Sequence, residues 1–151
     1  MSAVELSAEQ TYGEAARAVV AARTRSLFAH STEKLLDPQR PEGVHKTRVA
    51  TRRLRAALEI FGPALPSKRL EKALSEVKLL ADALGERRDL DVQIELLESV
   101  RDQAGRGERP AIDDLIGELR QEQGQANEHL VQALQRANEV RLEHRLRRLA
   151  K

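Results

Sequence analysis

Residues 44–63 read VHKTRVATRRLRAALEIFGP, and the two faces of this stretch decide the architecture. At about 100° per residue, His45, Arg48, Arg52 and Arg55 fall within an arc of roughly 80°. Leu54, Leu58, Phe61, Ala50 and Ala57 lie broadly opposite. The spacing predicts a helix from Val44 to Phe61 that buries one face and presents a ladder of cations on the other. Lys46 and Arg53 sit off the ladder, toward one flank. Gly62-Pro63 stops the helix.

On the N-terminal side, Ser7 and Gln10 have the spacing of a capping box. Tyr12, Ala16, Val19, Val20 and Leu27 follow at helical intervals, with no breaker before Pro38. Residues 38–43, with Pro41 among them, read as a connection. On the C-terminal side, Pro66-Ser67 forms a turn in which Ser67 is a good N-cap. Leu70, Leu74, Val77, Ala81 and Leu84 make the next stripe, and Gly85 suits its C-terminal end. Asp89 is placed to cap a further helix bearing Val92, Leu96, Leu97 and Val100. Gly105, Gly107 and Pro110 mark a break. From Ala111 the pattern is helical through Leu115, Leu119, Leu130, Leu134 and Leu146, with a kink or frayed middle expected around Gly117–Gly124. No stretch alternates as a strand would. Short connections between long amphipathic helices imply one all-α domain over residues 1–151, an up-and-down antiparallel bundle of about five helices.

Composition narrows the function. Aromatic residues are 2% of the chain, which argues against binding single strands by base stacking. There is no cysteine, so disulfides, thiolate catalysis and cysteine-based zinc sites are excluded. The histidines have no metal-ligand spacing such as HExxH. No apolar run has the length of a membrane span and no signal pattern opens the chain, so the cytoplasm is the expected compartment. The formal net charge is only +2, but residues 1–43, 44–88 and 89–151 carry −1, +6 and −3. One segment holds the positive charge, which points to an anionic partner.

A ladder of guanidinium groups suits a polyphosphate chain or a nucleic-acid backbone, because each makes bidentate, charge-assisted hydrogen bonds to phosphate oxygens. The alternative is a solvated face paired with acids: Glu59 can reach Arg55 one turn away, and Glu71 or Glu76 can serve from the neighbouring helix. Residues 44–88 hold 11 cations and 5 acids, too few acids to neutralise the face locally. Spacing alone leaves His45 between a structural residue and a phosphate donor.

The stretch 44–63, followed by EVKLLADALGERRDLDV at residues 76–92, resembles the N-terminal half of a CHAD domain, the conserved histidine α-helical domain. The resemblance rests on the histidine with arginines three and seven residues on, on the RRLR run, and on Lys78, Leu84, Gly85, Arg88, Asp89, Asp91 and Val92. It implies non-catalytic binding of inorganic polyphosphate, with His45, Arg48, Arg52, Arg53, Arg55, Lys78 and Arg88 as contacts. It also implies an association with polyphosphate granules and with a CYTH-type partner protein. Domains of this kind usually hold two related bundles, each with its own basic helix. HRLRRLAK at the C-terminus is not a second copy, so the chain reads as one half. Either a homodimer restores the arrangement, or the chain is a fragment or a single-bundle relative.

Two other readings compete. In one, Asp89 and Asp91 hold Mg²⁺ beside the basic face and the protein hydrolyses phosphoanhydrides; both acids are better explained as helix-start residues. In the other, the cations bind a nucleic-acid backbone, which the acidic C-terminal segment and missing aromatics disfavour. No cofactor and no metal is expected.

Overall fold

The computed structural model describes residues 4, 6–29, 35–37 and 41–151. They form five α-helices: α1 (Tyr12–Leu27), α2 (Pro41–Ile60), α3 (Ser67–Gln103), α4 (Arg109–Glu139) and α5 (Leu142–Leu149), with a 3-10 turn at Gly62–Ala64. No strand occurs among the described residues. The chain is an all-α bundle, as the periodicity predicts.

α1 begins at a true capping box one turn later than expected. The Thr11 hydroxyl accepts from the Glu14 backbone N–H and the Glu14 carboxylate accepts from the Thr11 N–H. Ser7 and Gln10 make related bonds, but around a turn and not a helix start. Tyr12, placed by spacing in the core, is exposed; its hydroxyl donates to the Ile60 carbonyl and its ring lies 5.5 Å from that of Phe61. The start of α1 is thereby tied to the end of α2, so the two run antiparallel. Pro41 opens α2, where its fixed φ and missing N–H cost nothing; Pro41–Gly43 are its first residues and not a connection. Residues 38–40 and His30 lie outside the described residues.

The main correction concerns α3. Gly85 does not end a helix and Asp89 does not start one: 37 residues run unbroken from Ser67 to Gln103. A glycine inside a helix costs only about 0.5–1 kcal/mol relative to alanine, and burial of Leu80, Ala83, Leu84, Leu90 and Ile94 outweighs that. Ser67 is the first helical residue, and the N-cap position belongs to Pro66.

α4 folds back along α3 with a register that cross-links make explicit. Glu76 takes a bidentate bond from Arg136 at 2.7 and 2.8 Å, Glu86 meets His129 at 3.3 Å, and Asp91 accepts from Gln123 at 2.7 Å. Farther along, Glu98 accepts from Arg120 at 2.8 Å, and Arg101 pairs with Asp113. Advancing along α3 means retreating along α4. Around Gly117–Gly124, where a kink or frayed middle is expected, α4 does not fray but is continuous, and the chain breaks at Arg141, a left-handed residue with φ 51°. α5 then turns back to pack on α1, α3 and α4, burying Leu142, Leu146 and Leu149.

At 1.5 Å per residue, α2 is about 30 Å long and α3 about 55 Å. The far end of the α3–α4 hairpin therefore extends past α2. Val92, Leu96, Val100 and Leu115, expected in the core, are 46, 62, 45 and 45% exposed. Leu90, Ile94 and Ile116 are buried in that region instead.

Candidate functional site: the basic face of α2 and α3

α2 carries the ladder because its opposite side is committed to the core. Val44, Ala50, Leu54, Ala57 and Leu58 are buried, as are Thr47 and Thr51. Those two hydroxyls donate to the carbonyls of Gly43 and Thr47 at 2.9 and 2.8 Å, so each is satisfied within the helix and needs no outside partner. With that face fixed, His45 and Arg52 are exposed and Arg48 and Arg55 half-buried. Among the described residues no carboxylate lies within ion-pair distance of His45, Arg48 or Arg52. Arg53 is exposed on the flank, about 120° from the ladder's centre.

Glu59 closes the ladder at its C-terminal end. Its carboxylate accepts from Arg55 at 2.9 Å and lies 3.9 Å from the Lys78 ammonium, so Lys78 of α3 is drawn to Arg55 of α2. Both pairs stand in water with side chains some 40% exposed, and such pairs contribute little to stability and open readily. From Lys78 to Arg88 is about 15 Å along α3, and from Arg55 back to His45 is about 15 Å along antiparallel α2. Arg88 thus reaches the level of His45. Its guanidinium is largely covered and lies 3.3 Å from Glu95. Of the seven residues singled out by sequence, six lie along one two-helix strip and Arg53 lies beside it.

Beneath the strip, between α3 and α4, lies a buried polar group that the sequence reading did not find. Arg87 and Asp91 are 1 and 3% exposed and hydrogen-bonded to one another, and Gln123 donates to the same Asp91 oxygen. Burial, with the charge of Arg88 beside it, pushes the Arg87 guanidinium down from its ordinary value. Arg87 Nε, Asp91 Oδ2 and Asn127 Oδ1 are buried without a hydrogen-bond partner. The signal was present as an arginine and an aspartate one turn apart. It becomes readable only once the helix is known to pass through Gly85.

This arrangement also bears on metal chemistry. Asp91 is engaged by Arg87 and Gln123 and is closed to solvent, whereas Asp89 is exposed. The two carboxylates therefore do not present a shared face to an ion. Among the described residues no group of three or more histidine, aspartate or glutamate side chains is placed to hold one. Nor is any helix among them long and apolar enough to cross a membrane.

The family model described as CHAD domain matches residues 18–151, well beyond the 44–92 stretch that carries the resemblance in sequence. No curated protein and no solved structure matches the chain.

Proposed function

The chain belongs to the CHAD domain family, a family associated with polyphosphate binding, and from that premise we propose that it binds inorganic polyphosphate along the α2–α3 strip without cleaving it. The observation that carries this reading is the pair Arg48 and Arg52. They stand one turn apart with no carboxylate of the described residues within ion-pair distance of either, and their helix keeps its other face in the core. A polyphosphate chain supplies the missing negative charge at every residue of its length, and guanidinium groups engage it through paired N–H bonds. His45 adds a hydrogen bond but little Coulomb attraction near neutral pH. Asp91, taken up inside the protein, supports a binding role over hydrolysis.

Val92, Leu96 and Val100 recur one turn apart on α3, and with Leu115 they leave an apolar surface on the far hairpin that the described residues do not cover. Such surface is a common site of association. Under this proposal two copies, each one bundle, pair there and together supply two basic helices.

The decisive test replaces Arg48 and Arg52 by glutamate. Binding of long-chain polyphosphate is expected to be lost, with the helical circular-dichroism spectrum nearly unchanged. Parent affinity is expected to fall steeply with salt as counterions are displaced, and His45→Ala to weaken binding less than the double reversal. Duplex DNA at matched phosphate concentration is expected to bind more weakly, and Mg²⁺ to elicit no orthophosphate release. A folded double variant that binds like the parent removes the strip as the site.

A further inference from the structure

A second cationic site lies on another side of α3. Arg69 and Lys72, in the first two turns of that helix, and Arg145 and Arg148 of α5 line a cleft of about 190 Å³. Counting from Lys78, Arg69 is about 180° round the helix and Lys72 about 120°. The cleft therefore faces away from the α2–α3 strip. We propose that it is a separate binding site for a short condensed phosphate such as tripolyphosphate.

Three observations converge on it. First, all four side chains are exposed and, among the described residues, none is within ion-pair distance of a carboxylate. Glu76 of α3, which feels the charge of Arg145, is held by a bidentate bond to Arg136, and Glu143 of α5 is held by Arg147. Second, the start of α3 is arranged against its own dipole. Acids are favoured in the first turn of a helix because the N-terminal end is positive; α3 has none there and no side-chain cap, but carries Lys68 and Arg69 instead. That placement is unfavourable for the empty protein and becomes favourable when an anion occupies the cleft. Third, α5 has its position set by the core. Leu142, Leu146 and Leu149 are 0, 0 and 2% exposed, so Arg145 and Arg148 are fixed at its flank, on a surface that packs against α3.

The size of the cleft selects the ligand. Pockets that enclose a drug-sized molecule span roughly 300–1,000 Å³, so this one has room for phosphate groups and not for a nucleoside. Four cations around so small a space favour high charge density, which distinguishes tripolyphosphate from monovalent or weakly charged anions. The site uses the same phosphate chemistry as the strip but none of its residues, so neither reading requires the other.

The test follows backbone amide signals of the parent by NMR during titration with tripolyphosphate, and measures affinity for three proteins by calorimetry. Signals of residues 67–72 and 145–148 are expected to move together and saturate. The Arg48→Glu, Arg52→Glu variant is expected to retain this binding. Arg69→Gln with Arg145→Gln, two exposed and charge-neutralising changes, is expected to weaken it at least tenfold. Amides that stay in place at saturating tripolyphosphate, or a cleft variant that binds as the parent does, overturn the proposal and leave the strip untouched. Cleft signals that respond in a protein with no affinity for long-chain polyphosphate would instead uphold the cleft and refute the strip.

Discussion

Arg87 and Asp91 lose nearly all contact with water on folding, and each depends on the other for its charge to be tolerable there. Burying an ion pair gains little overall, but removing one partner strands the other and costs about 3–5 kcal/mol. Asp91→Ala is therefore expected to lower stability to urea unfolding by about that amount. The double change Arg87→Met, Asp91→Leu is expected to be far milder, because it removes both charges while keeping apolar volume. If the single and double variants unfold alike, the pair is not coupled as its geometry requires. Glu76 is the contrasting case: its carboxyl is held below the usual carboxylate range chiefly by the Arg136 hydrogen bonds, while Arg136 keeps much of its surface in water. The α2 cations of the strip were legible residue by residue because a helix projects them at known angles, whereas Lys78 and Arg88 were named only through the family resemblance. The Arg87–Asp91 pair was not, because its meaning depends on which face α4 covers.

At the scale of elements, two helices resolve the same conflict in opposite ways. In the α3 sequence the stripe of Val92, Leu96 and Val100 is rotated by about 130° from that of Val77, Leu80 and Leu84. A break at Gly85–Asp89 would let both stripes face the core, which is why the sequence suggests one. The helix instead runs on unbroken, since Arg87, Leu90, Asp91 and Ile94 continue the buried face, and the second stripe is left in solvent. Between α4 and α5 the stripe shifts by roughly 140°, from Ala126, Leu130 and Ala137 to Leu142, Leu146 and Leu149. There the chain does break, at Arg141 in a conformation that favours glycine. No glycine or proline marks the spot; only the phase shift does. Gly85 then serves no turn: its φ is negative and an added Cβ meets nothing within 4 Å. Gly85→Ala is expected to stabilise the protein by about 0.5–1 kcal/mol, a rise in melting temperature of about 2–4 °C per kcal/mol. A fall in melting temperature would mean that the glycine is required structurally.

For the molecule as a whole, the uncovered apolar surface on the far hairpin begins one turn beyond Arg88, the last cation of the strip on α3, whereas the ladder lies on α2. The surface is expected to bring two copies together while leaving His45, Arg48 and Arg52 open. Light scattering of the purified protein is expected to give twice the chain mass of 16.9 kDa, and Leu96→Asp with Val92→Asp to halve it. A parent that runs as a monomer at micromolar concentration refutes the pairing and leaves phosphate binding standing. The extra helix and the buried Val92 stripe rested on local signals, and both changed once α4 lay against α3.

What the sequence determined by itself was the helical class, the apolar face of α2 and the outward ladder of His45, Arg48, Arg52 and Arg55. Each follows from a period of 3.6 residues acting on one segment, with no neighbour needed. What only the tertiary structure decided was whether α3 ran on past Gly85, where α4 ended, and which charges met. Lys78 reaches Arg55 through Glu59, and Arg69 and Lys72 face Arg145 and Arg148, across gaps in sequence that no local pattern spans. The physical reason is that a glycine or a misplaced apolar residue costs about 1 kcal/mol or a little more. Packing one long helix against another outweighs that, and its contribution depends on the partner helix and not on the local sequence.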